Sequence, residues 1–235
     1  MPTLSIVIPA YNEDRELPEL LQGIRAQTYQ PIEVIVADAH STDQTCKVAT
    51  AFGARVVDGG LPAQGRNRGA KAASGDILLF LDADAKFPDK FFLERALAEF
   101  VSRRLDIACP DIQATRGRLA RLFFSAYNTY THLLLSIHPH VIGTCIFVRR
   151  VFHEGLGGFD EAIKLAEDND YGVRASKRGS FGFLHELIFT PPRRFERDGY
   201  LRSAAVYTLS GIHVLFFGPI RSDLFHYRFG YKKKV

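Results

Sequence analysis

The 235-residue chain has little excess of either charge, few cysteines, no internal repeat and no low-complexity linker. Thirty Lys+Arg stand against 26 Asp+Glu, with 24% charged and 46% hydrophobic residues, which excludes a disordered tail protein and a collagen-like fibre. Three cysteines, Cys46, Cys109 and Cys145, are too few and too far apart for a disulfide scaffold. None forms a C-x-x-C pair, which argues against zinc and dithiol chemistry and for reduced, buried thiols in a cytoplasmic protein. Met1-Pro2-Thr3 runs straight into a strand-like segment, so no signal peptide is expected. The length suits one large domain, or one domain with an appendage.

What charge there is sits unevenly. Residues 191–235 hold nine Lys+Arg against three acids, giving a +6 segment on a −2 body. That asymmetry points to a polyanionic partner: phosphate, nucleic acid or an anionic membrane.

Leu4–Ile8, Ile32–Ala37 and Ile77–Leu81 are apolar, largely β-branched runs that read as buried strands, with Ala54–Val57 a shorter one. Helical spacing is expected over Glu13–Gln27, Thr42–Phe52 and Arg66–Ala73. Strands alternating with helices predict an α/β fold, a mostly parallel central sheet with helices on both faces. Ligands bind such sheets at the carboxyl ends of strands, where Asn12/Glu13, Asp38 and Asp82/Asp84 are expected to converge. Further on, Asp106–Ala108 and Ile142–Val148 read as strands, and Leu122–Ile137 as a helix. Ser203–Ile220 carries no Asp, Glu, Lys or Arg. Its serines, Thr208, Gly211, His213 and Pro219 favour an interfacial or re-entrant helix over a transmembrane one.

Three constellations carry chemistry. Asp82-Ala83-Asp84 leaves a buried strand with two carboxylates one residue apart, an arrangement suited to Mg2+ or Mn2+ shared with substrate phosphates. The alternative is a solvated acidic turn. Just upstream, Arg66 and Arg68 are candidates to meet a nucleotide or to be surface charges. Glu167-Asp168-Asn169-Asp170 offers a general base whose pKa is raised by neighbouring acids. It equally reads as an acidic helix start favoured by the dipole. Arg193-Arg194-Phe195-Glu196-Arg197 suits a diphosphate, or a solvated basic loop, and Pro191-Pro192 before it predicts a loop.

In order along the chain, these pieces resemble the family 2 glycosyltransferases with the GT-A fold. The matching segments are Val7–Glu13, Asp38–Asp43, Gly65–Ala70, Ser74–Asp76, Asp82–Asp84, Gly157–Glu161, Glu167–Asp170 and Arg193–Phe195, spanning roughly residues 3–197. The resemblance implies inverting transfer of a single sugar from a nucleotide-diphospho-sugar (UDP-, GDP- or dTDP-) to an acceptor. Pro9, Tyr11 and Glu13 would line the nucleoside pocket, Asp38 the base or ribose, and Arg66 the base. Asp82 and Asp84, with Ala83 between, would hold Mg2+ or Mn2+ and meet the ribose and diphosphate. Asp168 would be the catalytic base, and Arg193 and Arg194 would hold the leaving diphosphate. Ala39 stands where the family often has a second aspartate, and His40 where it usually has glycine. Arg-Arg-Phe replaces the Gln-x-x-Arg-Trp of processive synthases, which favours single-sugar transfer.

The domain expectation is a glycosyltransferase domain over 1–200, with a nucleotide-binding half at 1–115 and an acceptor half at 116–200. A basic tail with an apolar helix follows over 201–235. The two stretches without Asp, Glu, Lys or Arg suit a lipid-linked or envelope-glycan acceptor and peripheral contact with the cytoplasmic membrane face. They also read as ordinary helices covering the sheet. A sugar nucleotidyltransferase and a catalytically inactive nucleotide-binding module remain as alternatives. No nucleic-acid-binding pattern appears.

Overall fold

A computed structural model describes residues 2–135, 139 and 141–222. Arg228 and Lys232–Lys234, the end of the expected basic tail, lie outside the described residues.

The continuous apolar runs become central strands because both faces are covered. All seven residues of β1 (Leu4–Ala10) and all five of β4 (Ile77–Leu81) are buried. β2 (Ile32–Asp38) and β3 (Arg55–Asp58) extend the sheet on one side of β1. On the other side lie β4, β6 (Cys145–Arg149), β5 (Ile107–Ala114) and β7 (Phe181–Thr190), in the order β3-β2-β1-β4-β6-β5-β7. Only β6 runs antiparallel to its neighbours β4 and β5, so the sheet is mixed and mostly parallel. The run Ile142–Val148 therefore starts as a loop and pairs only from Cys145. β7 was not apparent in the sequence. It pairs with β5 through a register shift at Pro110/Asp111, where its His185 and Glu186 are the extra residues.

α1 (Leu17–Arg25) buries Leu17, Leu20, Leu21 and Ile24 at the expected spacing, and Pro18 opens it. α2 (Thr45–Phe52) ends at Gly53 in the left-handed region, φ +94°. α3 (Pro62–Ala72) lies so close to β1 that a Cβ on Gly69 would sit 2.3 Å from Val7 Cγ1. α4 (Phe92–Ser102) packs Phe92, Ala96 and Phe100 into the core. α5 (Arg118–Leu134) holds to β5 through Asn128, whose side chain bonds both backbone groups of Ile112. α6 (Arg150–Leu156) and α7 (Glu167–Ser176) follow β6. The segment expected to be a loop at Arg193 is a helix, α8 (Arg193–Asp198), because Pro192 serves as its N-cap rather than as a breaker. α9 (Tyr200–Phe217) completes the described chain. No helix among the described residues is long and apolar enough to cross a membrane.

Candidate active site

The carboxyl ends of β1, β2 and β4 meet at one edge, and their loops are tied together. Asn12 N–H donates to Ser41 Oγ (2.8 Å), Thr42 N–H to Asn12 Oδ1 (2.8 Å), and Glu13 N–H to Thr45 Oγ1 (2.9 Å). Ser41 N–H donates to Asp38 Oδ2 at 2.9 Å. Asn12 and His40 both adopt left-handed backbone, φ +55° and +58°. Glycine adopts this region freely, and asparagine and histidine tolerate it better than most other residues. Pro9 is buried against Gly65, Tyr11 is half-buried beside it, and Ala83 is buried between the two aspartates.

Two arginines organise the acids. Arg66, on α3, is buried and reaches Glu167 Oε1 at 2.7 Å, Asp82 Oδ1 at 3.3 Å and Gly143 O at 3.2 Å. Its guanidinium lies 5.4 Å from the Phe159 ring centre. Arg193, on α8, donates to both Glu13 oxygens (3.0 and 3.2 Å) and to Asp84 Oδ2 (2.5 and 3.1 Å). Asp82 and Asp84 thus hold different arginines. Burial pushes Glu13 up to about 7 although Arg193 opposes it, and pushes Asp82 up to about 6 against Arg66. Arg194 is half-buried, and its charge acts on Asp82.

Glu167 and Asp168 occupy the first turn of α7, which follows Ala166 in the left-handed region, φ +63°. For a side-chain-bearing residue that backbone is strained, and here it aims the acids at Arg66. Asp168 Oδ2 accepts the Gly143 N–H at 3.1 Å and Oδ1 accepts the Asn169 N–H at 2.9 Å. Burial first, then Glu167, raises Asp168 well above the usual carboxylate range, while Arg66 pulls it down. Beneath α7, Tyr171 stacks on Phe159 with centroids 4.0 Å apart and meets His153 Nδ1 through its hydroxyl at 2.7 Å. Burial drives His153 down to about 4, so it stays neutral.

The structure brings Glu13, Arg66, Asp82, Asp84, Asp168, Arg193 and Arg194 together around these arginine contacts. Arg68 points elsewhere, pairing with Asp58 and bonding Gly59 O. Sequence reasoning missed Asn67 and Gly143 as site builders. Asn67 Oδ1 accepts the Phe159 N–H and its Nδ2 donates to Phe159 O, both at 2.9 Å, locking the Gly65–Ala70 motif onto the Gly157–Glu161 motif. Gly143 lies so close that a Cβ there would be 2.6 Å from Asp168 Oδ2.

Asp82 and Asp84 supply the hard oxygen donors that Mg2+ or Mn2+ prefers. Among the described residues no group of three His, Cys, Asp or Glu forms a protein-only cage. Two carboxylates, each shared with an arginine, supply part of an oxygen coordination sphere and fit a cation whose remaining ligands would come from substrate.

The family model for glycosyl transferase family 2 matches residues 5–157, more than half of the chain. Among curated proteins, the glycosyltransferase AglE of Haloferax volcanii is 29% identical over 213 residues, covering 83% of this chain and 68% of AglE. The O-antigen chain rhamnosyltransferase WbaN of Salmonella anatum is 27% identical over 226 residues, covering 84% and 70%. Among solved structures, the mannosyltransferase PcManGT of Pyrobaculum calidifontis, in complex with GDP-Man and Mn2+, superposes with TM-score 0.66 at 20% identity. That match covers 88% of this chain and 64% of PcManGT. Residues 1–349 of TarS from S. aureus, in complex with UDP-GlcNAc, give TM-score 0.65 at 22% identity, covering 80% and 58%. The chain spans about two thirds of the curated relatives and less than two thirds of the solved ones.

Proposed function

The chain belongs to the family 2 glycosyl transferases and has their GT-A fold, and from that premise we propose inverting transfer of a single sugar from a nucleotide-diphospho-sugar. The acceptor is a hydroxyl or phosphate on a lipid-linked or membrane-surface molecule. That places the enzyme as a peripheral protein on the cytoplasmic membrane face. A glycosyltransferase assignment sets aside the nucleotidyltransferase alternative.

One observation carries this reading. Arg66 touches Asp82 on one side and its charge acts on Asp168 on the other. A single guanidinium thus acts on both the aspartate pair and the base, and a donor anchored at Asp82 and Asp84 would turn its anomeric carbon toward Asp168. The nucleoside lies against Pro9, Tyr11 and Asp38. Arg193 exchanges its carboxylate partners for diphosphate oxygens, and Arg194 acts on the same group. Asp82 and Asp84 would hold a divalent cation, which would supply positive charge to the departing diphosphate. Asp168 takes the proton from the acceptor hydroxyl as that oxygen attacks the anomeric carbon opposite the leaving diphosphate, which inverts the configuration. The raised affinity of Asp168 for a proton suits that task at neutral pH. The similarity to proteins solved with UDP-GlcNAc and with GDP-Man and Mn2+ supports a nucleotide sugar and a divalent cation here.

A thermal-shift panel of UDP-, GDP- and dTDP-sugars, each with Mg2+ or Mn2+, tests the reading. A donor at a hundred times its dissociation constant adds about 2.7 kcal/mol. Stabilisation by one nucleotide class, strengthened by the cation, is expected. The absence of any shift across the panel would refute donor binding.

A further inference from the structure

α5 and α9 lie side by side: the Tyr200 hydroxyl is 3.7 Å from where a Gly117 side chain would begin, and the Tyr130 hydroxyl is 3.6 Å from the same point on Gly211. On α5, Leu119, Leu122, Ala126, Tyr130 and Leu133 recur every three or four residues and all are exposed, Leu122 by 67% and Leu133 by 74%. On α9, Leu201 is 89% exposed and Leu209 is exposed as well. Scattered apolar residues on a surface need no explanation, but a helical stripe of leucines continued on a neighbouring helix does.

This face is held outward by construction. Phe195 of α8 packs against Phe123 and Phe124 of α5 and against Tyr200 of α9, with centroids 4.7, 5.5 and 5.7 Å apart. At the far end of α9, Val214 packs with Leu165 and Ile220 in a small second core, and Lys164 N–H donates to Ile220 O at 3.0 Å. Both helices are therefore anchored with their leucines to the outside. Neither contains an acidic residue. Arg118 and Arg121 on α5 and Arg202 on α9 are exposed; Arg202 acts on Asp198 just before α9, and His132 of α5 meets Asp111 at 2.8 Å. Leucines flanked by exposed arginines, on two helices that carry no carboxylate of their own, complement one chemistry: acyl chains beneath anionic headgroups.

The geometry points to the α5–α9 face as an in-plane docking surface for an anionic lipid bilayer. The inference deepens the membrane-surface reading above and rests on it. It also says how docking bears on the site. Phe195 belongs to the helix that carries Arg193, and Leu165 lies three residues before Asp168, so both anchors of the docking layer adjoin site residues.

The test is co-sedimentation of the full chain with phosphatidylcholine vesicles, with or without about 30% phosphatidylglycerol. Wild type is expected to bind only the anionic vesicles and to be released by salt. The exposed substitutions Leu119→Ser, Leu122→Ser and Leu133→Ser together are expected to lower the partition coefficient about tenfold or more. Arg118→Glu with Arg121→Glu should do the same through charge. Wild type that ignores anionic vesicles overturns the inference, as do variants that bind as well as wild type. Should the leucine variant instead convert a dimer to a monomer while vesicle binding stays absent, the face joins two copies and the bilayer is the wrong occupant. The donor-induced thermal shift, read on the same samples, reports the transferase reading separately. Its loss alongside intact vesicle binding would sink that reading and leave the surface standing.

Discussion

Arg66 holds the site together electrostatically, because it is the buried cation against which Asp82 and Glu167 rest. Replacing it by Met leaves buried carboxylates without a counter-charge, which costs on the order of 3–5 kcal/mol. Urea denaturation should show that loss, with Arg66→Lys recovering part of it. A Met variant as stable as wild type would mean that the acids are solvated. Asp168→Asn keeps the shape and one acceptor oxygen for the Gly143 N–H but removes the base. It should lower kcat by roughly 10²–10⁴ while donor binding, read by thermal shift, persists. Transfer at the wild-type rate would move the base to Glu167. Asp82, Asp84, Asp168 and Arg193 stood out in the sequence through their order along the chain, because each cluster taken singly also reads as an acidic turn, a helix start or a basic loop. Gly143 and Asn67 did not, since their contribution is a backbone approach and a reciprocal amide contact across 92 residues, which no local spacing encodes.

At the level of elements, β1, β2 and β4 were read within a residue or two of their bounds, where a continuous apolar run has one structural meaning, whereas β3, β5 and β6 were read as strands with shifted or shortened bounds. β7 escaped because His185 and Glu186 interrupt its pattern at the register shift. α8 escaped because paired prolines signal a loop unless they sit at a helix start. The orientation of β6 is invisible in any window, being set by which neighbours remain to be paired. α3 was expected from Arg66, yet its closeness to β1 is its main property. Gly69→Ala would drive a methyl into Val7, forcing helix and strand apart at a cost of about 1–3 kcal/mol. A matched Val7→Ala, Gly69→Ala double variant should recover part of that loss. Additive losses in the pair would show that the contact is not the cause.

For the molecule as a whole, three acids drawn away from water, Glu13 buried and Asp82 and Asp168 half-buried, make stability depend on pH in an unusual direction. Glu13, Asp82 and Asp168 hold their protons more tightly folded than unfolded. Their contribution is therefore full below about pH 4, where the unfolded chain is protonated too, and is lost as pH rises through about 6 and 7. The denaturation free energy of wild type relative to Asp168→Asn should fall between about pH 4 and about pH 7, and a flat difference would contradict the desolvation of that carboxyl. The reversed strand has a consequence for synthesis. β5 pairs only with β6 and β7, both made after it, and β4 keeps an open edge until β6 arrives to cover it. On the ribosome the nascent chain thus carries an open edge on β4 and both edges of β5 until residue 149 has emerged, and one edge of β5 until residue 190. Released fragments that stop at about residue 115 should aggregate rather than stand as a nucleotide-binding unit.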